Sequence, residues 1–172
     1  IKVMQSAYSF SHRENSKLAD EFAFFENSVS QAYNLHLSIL ALIKAVMDFT
    51  EDQLKTYEKL GSAEIKFHHL KTLSENKVLT MIQKHPILEK KLQTKKFIKW
   101  DLEFVFLKDL MQKMTSDTFF KAYEQLEDST WEEDLKWFTK CFKNNIASSN
   151  YLYDYIEDQQ ITWIDDLPLV NT

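Results

Sequence analysis

The sequence predicts an all-α fold: an irregular multi-helix bundle around one long central helix. Residues 18–49 contain neither Gly nor Pro, the residues that most cheaply interrupt a helix. Over that stretch Leu18, Phe22, Phe25, Val29, Ala32, His36, Leu40, Ile43 and Met47 recur at steps of three or four, the spacing of one helical face. The whole chain of 172 residues holds one Gly and two Pro, far too few for a strand-and-turn protein, while aromatic residues at 14% supply apolar area for helix packing.

The central helix is justified first. From Leu35 onward a second stripe, Leu35, Ile39, Leu42, Val46 and Phe49, joins the first. A segment apolar nearly all round needs neighbours on several sides. At about 1.5 Å per residue it would run roughly 48 Å, long enough for several shorter helices to dock on it. Lys44 and Asp48 cut the apolar run short of the roughly 18 residues that a membrane span requires, so the reading is a core helix of a soluble chain. The length fits a single helical domain over residues 1–172.

The other elements follow in order. Lys2 to Ser11 reads as a short helix with Val3, Ala7 and Phe10 on one side, and Ser11 to Lys17 as a connection. Thr50-Glu51-Asp52-Gln53 has the form of a capping box, which predicts a new helix over Glu51–Leu60, stopped by Gly61. Residues 62–72 alternate weakly and read as a loop or a turn of helix. Ser74 is placed to cap a helix reaching Lys84, which His85-Pro86 breaks, and Ile87–Leu92 resumes. Lys99–Met114 is periodic through Trp100, Phe104, Leu107, Leu110, Met111 and Met114. Ser116 or Asp117 opens a helix carrying Phe119, Phe120, Tyr123 and Leu126. Thr130-Trp131-Glu132-Glu133 is a second capping box, ahead of Trp131, Leu135, Phe138, Phe142 and Ile146. Asn150 caps a helix with Leu152, Tyr155 and Ile156 inward.

Charge is unevenly spread. The net charge of −5 argues by itself against nucleic-acid binding, yet residues 66–99 carry nine Lys against two Glu, between acidic flanks. Lys90, Lys91, Lys95, Lys96 and Lys99 crowd ten residues, with Phe97 and Trp100 interleaved. Cations that meet phosphates beside rings that stack on bases suit single-stranded RNA. The preferred plainer reading is a solvated face whose rings point into the core.

Catalytic and metal chemistry find little footing. His68-His69 has no third ligand at a sensible spacing. His36 lies on the apolar stripe and is expected to be a hydrogen-bonded core histidine. Glu132-Glu133-Asp134 falls at a helix start, where negative charge is favoured, and is expected to be structural. Cys141, the single cysteine, is expected to be a packed thiol, which fits a reducing compartment. A single Gly cannot build a phosphate-cradling loop. No triad or metal set can be assembled, so the expectation is a non-enzyme with no cofactor and no metal.

Three stretches together resemble the transcription antitermination factor NusB family. Val3-Met4-Gln5-Ser6-Ala7-Tyr8-Ser9-Phe10 is similar to that family's first helix, with a Gln followed three residues on by Tyr, then a small residue and an aromatic. Phe142-Lys143-Asn144-Asn145-Ile146, with Leu152, Ile156 and Trp163-Ile164-Asp165-Asp166, looks like the family's run through a helix into a Trp and an Asp. Ala32-Tyr33-Asn34-Leu35 to Val46 and Trp131-Glu132-Glu133-Asp134 look like the longer members, which carry a large helical insertion.

The resemblance implies an all-α protein that binds a single-stranded RNA element (boxA) and pairs with NusE, a small-subunit ribosomal protein. It implies work in the cytoplasm within an RNA polymerase antitermination complex, away from any membrane. The chain opens without Met, on what reads as mid-helix, and is expected to be an N-terminal fragment whose second NusB-like half follows Thr172. Gln5 and Tyr8 match positions that face RNA in the family, and Lys2 is near enough to reach a phosphate. Short members lack the insertion, so the basic island inherits no role. Its charge motivates the expectation that Lys90, Lys91, Lys95 and Lys96 extend the RNA groove. The rival class is a helical protein–protein scaffold that never touches nucleic acid.

Overall fold

The computed structural model describes residues 2–12, 17–61, 65–94, 99–160 and 162–171. Among these, regular structure is entirely helical: α1 (Lys2–His12), α2 (Leu18–Leu60), α3 (Ile65–Glu75), α4 (Lys77–Gln83), α5 (Pro86–Thr94), α6 (Phe104–Ser116), α7 (Thr118–Tyr123), α8 (Trp131–Cys141), α9 (Asn150–Gln159) and α10 (Trp163–Val170). A 3₁₀ turn, Trp100–Leu102, precedes α6, and a π-helical turn, Phe142–Ile146, extends α8.

The 43-residue α2 is the axis, and α1, α3, α4, α5, α6 and α10 all pack against it. It continues eleven residues past the expected stop at Phe49. The Thr50 hydroxyl, instead of capping a new helix, donates to the Val46 carbonyl at 2.8 Å and stays inside the old one. The true stop is Gly61, in the left-handed region at φ 64°, whose amide donates back to the Glu58 carbonyl. By length and composition α2 could cross a bilayer, but 56% of its most apolar window is buried within the protein.

The stripes on α2 are covered in the middle of the helix and open near its start. Leu35, Ile39, Leu42 and Val46 of the second stripe and Ile43 and Met47 of the first are all buried, whereas Leu18, Phe22 and Val29 of the first are exposed. His36 is also exposed and is not the expected core histidine: the α4–α5 corner flanks it without covering it. The core gathers around the middle of α2, with Trp100, Leu107, Leu110, Met114, Phe120, Trp137, Ile146, Leu152 and Ile156. Trp100 is 2% exposed, and its indole N–H donates to the Ser38 carbonyl of α2 at 2.8 Å.

Where the sequence suggested a loop or a turn of helix, the chain forms the eleven-residue α3, which turns Leu70 and Leu73 inward. The next cap is Asn76 and not Ser74; its side chain accepts from the Leu79 amide at 2.9 Å. Pro86 stands at the first position of α5, where its missing N–H costs nothing. Asp117 caps α7 and Thr130 forms the expected capping box with Glu133, while Ser149, one residue before Asn150, caps α9.

Candidate nucleic-acid interface

Helix α1 lies along the first turns of α2. Val3, Ala7 and Phe10 turn toward Leu18, Phe22 and Phe25, yet no residue of α1 is fully buried. A helix so lightly seated presents most of its surface outward. Gln5 is exposed, and Tyr8 is 66% exposed. The Tyr8 ring stacks on His12, one turn later, with centroids 4.0 Å apart and planes at 28°. His12 is held in place as its Nδ1 lies 3.0 Å from the Tyr8 carbonyl and 2.9 Å from the Ser11 hydroxyl. The result is a two-ring platform open to solvent, where a base can stack.

Lys2 is placed differently from what the sequence suggested. Its ammonium forms an ion pair with Asp166 of α10, a carboxylate only 4% exposed as a residue. Lys2 thus ties the first helix to the last, and any phosphate it met would have to compete with Asp166.

Of the lysine cluster over residues 90–99, Lys90 and Lys91 sit on α5, and Lys99, also exposed, directly precedes the 3₁₀ turn. Leu88 is buried and Leu92 half-buried, which anchors the helix on α2 and leaves Lys90 and Lys91 exposed. The Lys91 ammonium lies 5.9 Å from the centroid of the Tyr33 ring, itself 45% exposed. Lys95, Lys96 and Phe97 lie outside the described residues. Trp100, the other interleaved ring, belongs to the core, as the plainer reading expected.

Neither His12 nor Tyr33 stands among the RNA-facing residues that the sequence suggests. The Tyr8–His12 spacing of four on a helix was the available signal, whereas the meeting of Lys91 with Tyr33 depends on how α5 docks.

The remaining candidates are structural. Among the described residues no group of His, Cys, Asp and Glu could hold a metal ion. His68 and His69 instead face one carboxylate oxygen of Glu124, at 3.8 and 3.4 Å. Glu133 completes the capping box, and the Thr130 amide it accepts from holds its carboxyl below the usual range. Cys141 is buried, and desolvation pushes its thiol up to about 12, which makes it a poor nucleophile.

No protein-family model, curated protein or solved structure matches this chain. What remains is the chemistry of the surface itself: a stacked aromatic pair and an exposed amide on α1, and lysines beside a ring on α5.

Proposed function

We propose that this protein is a NusB-like transcription antitermination or termination factor, which binds a single-stranded, boxA-like RNA and pairs with NusE in ribosomal RNA transcription. The observation that carries the reading is the solvent-open Tyr8–His12 stack with Gln5 one turn before it. Stacking on aromatic faces supplies about 1–3 kcal/mol per base in single-strand recognition, and an exposed amide can read a base edge. Lys90 and Lys91 add positive charge on a second helix of the same α2 scaffold. In this reading the protein contributes contacts and no catalysis, and it works in the cytoplasm.

A titration of labelled single-stranded RNA, with and without NusE, tests the proposal. Tyr8→Ala is expected to weaken binding about tenfold, and Lys90→Glu with Lys91→Glu to lower the salt dependence of affinity. RNA affinity and salt slope unchanged in both variants would refute it.

A second reading has its own observation. Val3, Leu18, Phe22, Phe24 and Val29 are each 45% exposed or more on the α1–α2 arm, which suits a helix-in-groove protein contact. A protein scaffold would lose partner binding on Phe22→Glu while RNA binding stayed absent throughout.

A further inference from the structure

The second half of α2 forms one wall of a cleft of about 480 Å³, closed on the other sides by α3, α6 and the start of α7. Its volume falls within the roughly 300–1,000 Å³ of small-ligand sites. Two rings line the α2 wall, Phe49 and Tyr57, separated by Gln53 at the four-residue spacing of one helical face. Three lysines from three other helices converge around it: Lys66, Lys108 and Lys121, all exposed.

Among the described residues, no carboxylate lines this cleft. None of the three lysines has an ion-pair partner among the described residues, and His69, also at the wall, is already turned to Glu124. In a chain with a net charge of −5 that is a local inversion. Like charges gathered at one opening repel, and an anion seated among them relieves all three repulsions together. The half-buried rings below offer apolar faces to a flat group attached to that anion.

We propose that this cleft binds a nucleotide. Its phosphate sits among Lys66, Lys108 and Lys121, and its base lies against Phe49 or Tyr57, within reach of the Gln53 amide. The same chemistry could arrive as a free nucleotide or as one residue of a single strand. The cleft is separate from the α1 surface and does not depend on it.

Calorimetric titration with AMP, adenosine and inorganic phosphate is the first measurement, and titration with a labelled single-stranded RNA the second. The test variant is K66E/K108E/K121E; all three positions are exposed, and circular dichroism verifies its fold. A free-nucleotide site binds AMP about tenfold more tightly than adenosine or phosphate, and loses that binding at least about tenfold in the triple variant, with RNA affinity untouched. A single-strand site shows instead a fall in the RNA salt slope of about 0.7 for each phosphate that the lysines cease to neutralise. Tyr8→Ala leaves AMP binding unchanged in either case, which separates this cleft from the α1 platform. The proposal is overturned if AMP binds no better than phosphate and the triple variant leaves the RNA salt slope as it was.

Discussion

Asp134 is 0% exposed, and both its oxygens are engaged. One accepts from the Tyr123 hydroxyl at 2.6 Å and the other from the Lys77 amide at 2.8 Å, while Asn76 donates to the same phenol at 3.0 Å. One carboxylate thereby joins the start of α4 to α7 and α8. Asp134→Ala strands a phenol and an amide in the interior and is expected to lower unfolding free energy in urea by about 3 kcal/mol, against about 1–2 kcal/mol for Tyr123→Phe. Burial first, and the Asp134 bond second, push the Tyr123 phenol up to about 12. A group whose pKa is raised on folding keeps its contribution below the unfolded value and loses it as pH climbs toward the folded one. Stability should therefore fall between roughly pH 9 and 12 as the unfolded chain releases protons that native Cys141 and Tyr123 retain. Urea midpoints across that range check it, and Cys141→Ala with Tyr123→Phe should flatten the decline. The acidic triplet at the start of α8 was legible as structural. That Asp134 would also serve α4 was not, because 57 residues separate it from Lys77.

At the scale of elements, local chemistry was legible where the chain stops and illegible where packing carries it on. Gly61 and the Thr130–Glu133 box end and begin helices as their sequences dictate. Thr50 carries the same cap pattern, but tertiary contacts on both sides keep α2 helical through it, and its hydroxyl turns back into the helix. Residues 65–75 alternate weakly in hydropathy, and it is their docking on α2 that makes them a helix. The two true caps should behave alike in size and differ in cause. Thr130→Ala is expected to cost about 1 kcal/mol by removing the hydroxyl's share of the capping box. Gly61→Ala should cost about 1–2 kcal/mol through backbone strain alone, since an added Cβ there meets nothing within 4 Å. Thermal or urea unfolding of each variant measures both.

The whole molecule is unevenly consolidated along its axis. The middle of α2 holds Leu35, Leu42 and Met47 at no more than 1% exposure, whereas no residue of α1 is buried and Phe22 and Phe24 stay open. Amide hydrogen exchange should divide at this point, with α1 and residues 18–30 exchanging well before residues 35–50. A flat rate across α2 would contradict that division. The long axis was readable from its missing Gly and Pro, and the doubled stripe from Leu35 onward matches its covered middle, but that Leu18, Phe22 and Val29 would stay open was not, because their spacing is equally helical. Nor could the sequence show that Lys66, Lys108 and Lys121 share one cleft, since only the docking of α3, α6 and α7 gathers them. The Lys2–Asp166 pair has a further bearing on the α1 surface. On the proposed RNA-binding reading, Asp166 holds the cation that an incoming strand would court, so removing that negative charge, as in Asp166→Asn, is expected to tighten RNA binding in the same titration. On that reading a single buried acidic side chain tempers the affinity of the α1 surface for RNA.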